Sequence, residues 1–229
     1  MSGFDFDVIV RSARYVLLEG LRFSLSLTLL AATGGLVLGT LLALMRLSGN
    51  RVLGLLATGY VNLVRAMPLV LVIFWFYFLV PYLAQWLTGA PRPVQVGAFV
   101  SALVTFIVFE AAYFSEIIRA GIQSIPRGQF MAGQAIGLRP SQVMTSVVLP
   151  QVFRIMLPVL LTQTVVLFQD TSLVYVLGLI DFMGAASQVA QRDGRLVEMY
   201  TFVAVVYFAI SFTFSRLARR LQVAISIPR

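Results

Sequence analysis

Three carboxylates lie within or beside long apolar stretches of this 229-residue chain: Glu110, Glu116 and Asp170. A charged side chain at the centre of a bilayer costs about 2.5–3.5 kcal/mol on insertion scales, so each carboxylate is expected to face a cavity or a partner. Glu116 precedes Arg119 by one helical turn, which predicts an ion pair along one helix face. Glu110 lies deeper, and two roles stay open for it: binding the ammonium group of a ligand, or bracing an arginine of a neighbouring helix.

Asp170 belongs to a group of polar residues in an otherwise apolar segment: Gln163, Gln169, Asp170, Thr171 and Ser172. These residues would line a water-filled path or gate, or they would form a hydrogen-bond network between helices, which is common in membrane bundles. Asp170 and Glu110 could also be the acid/base pair of an intramembrane enzyme. That alternative is disfavoured because the chain contains no histidine and therefore no nucleophile–histidine arrangement. We assign no catalytic residue.

The composition is that of an integral membrane protein. Hydrophobic residues make up 59% of the chain, only 11% are charged, and the mean hydropathy is +0.93. A soluble domain would carry roughly twice that share of charge. The basic residues are all arginine and lie mostly at the ends of apolar runs, a placement that membrane topology explains without a nucleic-acid partner. Because Cys and His are both absent, we expect no disulfide and no metal site.

The apolar runs predict an all-α membrane fold with five transmembrane helices. Each run reaches the roughly 20 residues needed to cross a bilayer, and backbone groups in lipid must be satisfied within the segment. The predicted spans are Phe23–Met45, Val52–Val80, Val94–Tyr113, Phe153–Leu177 and Leu196–Ser215. Arginines are more numerous on the side that holds residues 46–51, 119–154 and 216–229. This side should be cytoplasmic, with the N-terminus outside and the C-terminus inside.

The predicted spans divide the chain into three parts. Residues 1–20 are expected to be an amphipathic segment on the outer surface, residues 21–220 the transmembrane domain, and residues 221–229 a cytoplasmic tail. An odd number of spans argues against two inverted halves, so the chain is expected to supply half of a pathway.

Small residues recur at four-residue spacing in the first span: Ala31, Gly35, Gly39 and Ala43. Such a face lets another helix approach closely. We expect packing within the chain here in preference to a dimer contact.

A polar loop at about residues 123–150 separates the third and fourth predicted spans. It is punctuated by proline and glycine at Pro126, Gly128, Gly133, Gly137, Pro140 and Pro150. The prolines predict two short helices and a kinked re-entry, with the last proline ending the second segment. The glycines would permit a sharp turn or the close approach of another surface. Ordered long loops usually carry function, so a docking surface is predicted; the alternative is a re-entry hairpin without a partner.

This loop resembles that of the permease subunits of bacterial ATP-binding-cassette importers, specifically the polar amino acid group. The family pattern runs from Ala-Tyr through E-I-x-R-x-G-I-x-S-I-x-x-G-Q, then E-A-A, a later Gly, and I-x-L-P. The matching residues are Ala112, Tyr113, Glu116, Ile117, Arg119, Gly121, Ile122, Ser124, Ile125, Gly128, Gln129, Gly137, Leu138, Leu149 and Pro150. RAMPL at residues 65–69 and QDTSL at residues 169–173 are similar to the family's R-G-T-P-L and K-D-T-S-L. In detail the chain looks most like glutamate/aspartate importers.

The resemblance implies a type I importer permease of a bacterial inner membrane, with an ATPase-coupling loop. The loop residues it assigns are Gly128, Gln129, Met131, Ala132, Gly133, Gly137, Leu138 and Pro150. The family's E-A-A triplet falls on Met131-Ala132-Gly133, so its Glu is missing and one charge-assisted contact with an ATPase is lost. The resemblance also favours a pathway or gate for the polar group around Asp170.

The implied partners are an ATP-binding-cassette ATPase that binds ATP and Mg, a second permease, an external solute-binding protein, an amino acid and membrane lipid. The second permease could be another copy or a related chain. This chain has no G-x-x-x-x-G-K-[ST] motif, so it is predicted to have no phosphate-binding nucleotide site and to depend on the separate ATPase for energy. We expect no cofactor in this chain and no enzymatic activity of its own. Glutamate or aspartate is the expected substrate. The alternatives are another polar amino acid, or an ATP-independent channel or structural subunit.

Overall fold

The computed structural model describes residues 3–94 and 96–225, and these residues are mostly helical. Backbone N–H and C=O groups in lipid must be satisfied within the crossing segment, which makes the helix the favoured form. Within the described ranges the chain forms eight helices: α1 Phe6–Leu47, α2 Arg51–Arg65, α3 Leu69–Thr88, α4 Ala98–Gln123, α5 Arg127–Ala135, α6 Pro140–Leu177, α7 Phe182–Asp193 and α8 Leu196–Ile225.

Among the described helices, five are long and apolar enough to cross a membrane: α1, α3, α4, α6 and α8. This number agrees with the prediction, but the predicted second span Val52–Val80 is wrong. The chain leaves the helical conformation between Arg65 and Leu69, and α3 alone is the crossing helix there. Pro68 is extended, with φ −62° and ψ 130°. Proline has no N–H and disfavours helical backbone in the residue before it, which explains the break.

The third and fourth spans are longer than predicted. Helix α4 continues past Tyr113 to Gln123, and α6 begins at Pro140 rather than at Phe153. Hydropathy marks only the apolar part of a helix, whereas its hydrogen bonds continue into polar sequence until a stop signal. The first of the two predicted short loop helices is therefore α5, and the second is the beginning of α6.

Both ends of the chain also differ from the prediction. Helix α1 begins at Phe6 and runs into the first span without a break, so residues 6–20 of the predicted surface segment extend that span rather than forming a separate segment. Residues 221–225 of the predicted tail belong to α8. Residues 226–229, including Arg229, lie outside the described residues, as do residues 1–2.

The N-terminal turns of α1 are amphipathic, but their apolar face packs on protein. Val8 and Val16 are buried in a cluster with Phe182 of α7, whereas Phe6 and Val10 on the other face are exposed. The sequence predicts a surface location for this segment, but an apolar helix face can be covered equally by lipid or by another helix. The structure shows that α7 and α8 cover it.

Ion pairs add to this contact between the N-terminal turns and the start of α8. Arg11 Nη2 lies 3.3 Å from Asp193 Oδ2, and Arg195 Nε lies 3.6 Å from Asp5 Oδ2. A hydrogen bond from Arg192 lowers the pKa of Asp193 below its usual range. These charges tie together three segments at one end of the bundle.

The prediction that Pro150 ends a helical segment is wrong. Residues Met144–Val148 form a π-helical turn, in which the N–H of Leu149 donates to the carbonyl of Met144. The widened turn accommodates the proline ring, which would otherwise clash with the carbonyl four residues earlier. Helix α3 has the same arrangement before Pro81. Helix α6 is therefore continuous from the loop into the bundle.

Small residues bring α1 and α4 into close contact. A Cβ added to Gly39 would lie 2.9 Å from the carbonyl oxygen of Ala111 and 3.0 Å from the backbone nitrogen of Ser115. Ala31 and Ala43 on the same face are completely buried. The backbones approach each other because this face carries almost no side-chain volume.

We expect Gly39→Ala to destabilise the protein by about 1–3 kcal/mol, because the new methyl group would overlap backbone atoms of α4. Gly59→Ala is the matched control, since a Cβ at Gly59 meets nothing within 4 Å. Alanine is favoured over glycine within a helix by up to about 1 kcal/mol, so the control should be neutral or stabilised. Thermal unfolding of both variants in one detergent measures the difference. A melting temperature for Gly39→Ala equal to that of the wild type would contradict the close contact.

Candidate functional site

Helix α5 ends at a turn that favours glycine. Gly137 has φ +88°. Its N–H donates to the carbonyl of Gln134 at 2.9 Å, and the N–H of Leu138 donates to the carbonyl of Gly133 at 3.2 Å. These two bonds form the Schellman motif, in which a left-handed residue follows the helix C-terminus. The sharp turn that the loop glycines predict is located at Gly137.

Helix α5 packs against the first turn of α6 through another close contact. Gly133 is buried, and a Cβ there would lie 2.8 Å from Val143 Cγ2. Val143 belongs to an apolar cluster against which Phe130 and Leu138 also pack. A Cβ at Gly128 would meet nothing within 4 Å, and the backbone there is not left-handed. Of the three loop glycines, Gly137 makes the sharp turn, Gly133 permits the close contact and Gly128 does neither.

The opposite face of α5 is exposed and partly apolar. Met131 is 63% exposed and Ile136 is 78% exposed. Gln129 and Ala132 are also exposed on this helix, whereas Pro150 lies in α6 beyond the π-helical turn. Large exposed apolar side chains with polar neighbours are typical of a protein–protein contact. The exposed face of α5 is therefore a candidate docking surface, which we call the docking surface, and Met131 stands there where the family pattern has Glu.

Glu110 is completely buried where α4 meets α1 and α6. The amide nitrogen of Gln163 donates to its two carboxylate oxygens at 3.2 and 3.3 Å. On the side of α1, a Cβ at Gly35 would lie 2.9 Å from Glu110 Cβ. Within the described residues of this chain Glu110 has this amide partner and no arginine partner, so the arginine brace considered from the sequence is not formed there. A neutral amide does not compensate a carboxylate charge, so a cation could still pair with this group.

Two of the polar residues near Asp170 take part in contacts within the chain. The amide of Gln169 donates to the hydroxyl of Ser211 in α8 at 3.0 Å. Thr171 is buried and donates to the carbonyl of Phe168 at 2.7 Å. The bond of Gln169 joins α6 to α8 and matches the interhelical network that was the alternative to a pathway, whereas the bond of Thr171 lies within α6.

Asp170 itself has no hydrogen bond or ion pair among the residues that the structure describes, and it is partly exposed. Ser172 beside it is also partly exposed. An unpaired carboxylate in a crossing helix is expected to face a cavity or water rather than lipid. Asp170 and Glu110 therefore remain the candidates for contact with a solute.

Asp181 fixes the start of α7 and was not singled out from the sequence. Its carboxylate accepts hydrogen bonds from the N–H groups of Met183 and Gly184 at 3.0 and 2.9 Å. The N–H of Phe182 donates to the hydroxyl of Ser24 in α1 at 3.0 Å, which ties the two helices together. Burial raises the pKa of Asp181 to about 6, against the opposite effect of its backbone donors. Aspartate directly before a helix is a recognisable cap, so the sequence did carry this signal.

Glu116 binds two arginines at one end of α4. Its Oε2 lies 2.6 Å from Nη1 of Arg46, and its Oε1 bonds Arg119. The pair with Arg119 was predicted, but the pair with Arg46 was missed. A signal for it existed, because Arg46 lies one turn past Ala43 on the small-residue face that contacts α4.

We expect the Arg46–Glu116 pair to show a coupling energy within the roughly 0.5–3 kcal/mol seen for contacting residues. The side chain of Arg46 is 10% exposed and that of Glu116 is 26% exposed, which limits screening by water. A double-mutant cycle of Arg46→Gln and Glu116→Gln, read from the free energy of unfolding, measures it. The control cycle uses Arg11 and Asp193, where the arginine is 60% exposed and the coupling should be smaller. Equal coupling in both cycles would contradict the assignment.

The chain matches the family model described as binding-protein-dependent transport system inner membrane component over residues 35–226. It is 50% identical over 222 residues to the glutamate/aspartate import permease protein GltK of Escherichia coli O6:H1 strain CFT073, covering 97% of this chain and 98% of that protein. It is 31% identical over 207 residues to the glutamine transport system permease protein GlnP of Escherichia coli K12, covering 90% and 91%.

A solved structure described as an amino acid ABC transporter with histidines superposes with a TM-score of 0.86 at 29% identity. The superposition covers 96% of this chain and 99% of that chain. The agreement extends from end to end, so the helices and loop described above are those of a permease fold. The chain therefore belongs to the family of inner membrane components of binding-protein-dependent transport systems, the transmembrane permeases of ABC transporters.

Proposed function

We propose that this chain is the permease subunit of an ATP-driven importer for glutamate and aspartate in a bacterial inner membrane. The observation that carries the proposal is the 50% identity, over 97% of the chain, to a protein named as a glutamate/aspartate import permease. The more distant relative is named as a glutamine permease. Both relatives thus support amino acid transport, whereas the assignment of glutamate and aspartate as substrates depends on GltK alone.

The proposed orientation places the loop containing α5 in the cytoplasm. Ten of the 17 arginines lie in residues 46–51, 119–154 and 216–229 on this side, and short loops rich in arginine stay on the cytoplasmic side. Five crossings then put the N-terminus outside. The ion-paired end formed by α7 and the first turns of α1 would face the external solute-binding protein.

Energy would come from a separate ATPase subunit that binds ATP and Mg, because the chain lacks a phosphate-binding loop. The exposed face of α5 would dock on that subunit through Met131 and Ile136, an apolar contact in place of the missing Glu. Gly133 brings α5 into direct contact with Val143 at the start of α6. A movement of α5 would therefore displace α6, which would act as a rigid lever. Gln163 lies 20 residues further along α6, roughly 30 Å away at 1.5 Å per residue.

The same lever would expose Glu110. This carboxylate is enclosed where α1, α4 and α6 meet, so a shift of α6 would separate Gln163 from it and open the site. Its charge would bind the α-ammonium group, which every amino acid substrate carries. Glu110 would then hold the amino acid without choosing its side chain. A second permease, another copy or a related chain, would complete the pathway.

We expect ATP hydrolysis by the reconstituted complex to be stimulated by glutamate or aspartate and to lose this stimulation in Gly137→Asp. The complex contains this chain, its second permease, the ATPase and the solute-binding protein, in proteoliposomes. At φ +88° an L-residue is strained, and the added charge would lie at the end of the docking surface. ATPase activity measured across a panel of amino acids gives the substrate class.

Gly49→Asp is the matched control for that experiment. Gly49 also has a positive φ, of +72°, and a Cβ there also meets nothing within 4 Å. It lies in the turn between α1 and α2, outside the loop that contains α5, so the control should keep its stimulation. Loss in both variants would indicate general strain rather than a docking role. Stimulation by a different amino acid would retain the importer and exclude glutamate and aspartate as its substrates.

We expect Glu110→Gln to lower ATP-driven glutamate uptake by about tenfold or more, as loss of a hydrogen bond to a charged group implies. The amide keeps the shape of the side chain and a partner in Gln163, so the melting temperature should change little. Glu19→Gln, at an exposed site on α1, is the control for the substitution itself. Normal uptake by Glu110→Gln would leave Glu110 only a bracing role.

A further inference from the structure

Helices α1, α6 and α8 enclose an apolar groove of about 330 Å³. Leu29, Leu161 and Phe214 are among its walls. The two threonine hydroxyls in the lining are already engaged, since Thr28 donates to the carbonyl of Ser24 at 2.7 Å and Thr164 to that of Leu160 at 2.9 Å. The groove therefore offers a ligand hydrocarbon contact and little hydrogen bonding.

Three arginines lie on successive turns of the C-terminal part of α8, at one end of this groove: Arg216, Arg219 and Arg220. Leu217 lines both the groove and the adjoining hollow formed with Arg216 and Arg220, so the apolar and basic surfaces are continuous. The guanidinium of Arg216 lies 5.0 Å from the ring centre of Phe212. Across the described part of the chain, none of these three arginines has an acidic partner.

Unpaired cations on a crossing helix are unfavourable unless an anion or water reaches them. Clusters of arginine at the cytoplasmic ends of membrane helices attract anionic headgroups. A soluble phosphate would satisfy the arginines but leave the groove uncovered. A zwitterionic lipid would fill the groove but would bring no net negative charge. An anionic phospholipid matches both surfaces at once.

We propose that the groove binds an acyl chain of an anionic phospholipid whose headgroup contacts Arg216, Arg219 and Arg220. The groove side of α6 is formed by residues such as Leu161 and Val165, on the helix face opposite Gln163. A bound acyl chain would thus support the turn of α6 whose other face holds Glu110. The lipid is a structural ligand, distinct from the transported solute.

The test is native mass spectrometry of the full chain, alone and in its complex, after removal of co-purified lipid. Phosphatidylglycerol and phosphatidylcholine with identical acyl chains are titrated in turn. We expect the wild type to prefer phosphatidylglycerol. The triple variant Arg216→Gln, Arg219→Gln, Arg220→Gln should lose about tenfold or more of that affinity, since each arginine contributes to headgroup attraction.

Further variants test separately how the arginine charges and the shape of the groove contribute to lipid binding. The triple Arg→Lys variant keeps the charges and should keep the preference for phosphatidylglycerol. Ala32→Phe, which narrows the groove, should weaken binding of both lipids. Arg51→Gln is the control, because it removes an exposed arginine at the start of α2. This variant should bind both lipids as the wild type does.

Three outcomes would overturn the proposal. Equal binding of the two lipids, unchanged in the triple Gln variant, would show that the arginines do not select a headgroup. Displacement of phosphatidylglycerol by equimolar glycerol phosphate would indicate a soluble anion site. Loss of the second permease from the complex in the triple Gln variant, with lipid binding unchanged, would make this surface a subunit interface.

Discussion

Close packing of α1 against α4 is the constraint on which the remaining structure depends. Helices in lipid gain little from hydrophobic burial against each other, so they associate through van der Waals contact and polar bonds. Gly35 and Gly39 supply the contact by letting the backbones meet. Arg46 and Glu116 supply the polar bond at one end. The same packing encloses Glu110, because its Cβ lies against the glycine face of α1.

Continuity of α6 links the docking loop to the buried carboxylate. Its first turn contacts α5 through Val143, and its middle holds Glu110 through Gln163. The π-helical turn before Pro150 keeps the helix unbroken at a residue that would otherwise end it. A turn of this kind is wider than an ordinary helical turn, so it admits the proline without breaking the connection between Val143 and Gln163.

Charges in the bundle are arranged in two ways. Glu116 is compensated by two arginines and serves to connect helices. Glu110 has only an amide donor, and Asp170 has no hydrogen-bond or ion-pair partner within the described residues, so neither carboxylate is matched there by a cation. A buried charge with a neutral partner is costly for stability, which is why such groups usually mark a pathway rather than a brace. Arg216, Arg219 and Arg220 at the end of α8 are positive charges that likewise have no oppositely charged partner within the described residues.

The sequence by itself determined the features that depend on neighbouring residues along the chain. Apolar runs gave the number of crossings, the loop glycines predicted the turn now located at Gly137, and motif order identified the permease family. Contacts between helices depended on the tertiary structure. The pairing of Glu110 with Gln163, the second arginine on Glu116 and the packing of the N-terminal turns each depend on how helices rotate and shift relative to one another. Hydropathy and spacing specify which face of a helix is apolar or small, but not which helix meets that face or at what height, because many pairings bury the same surface equally well.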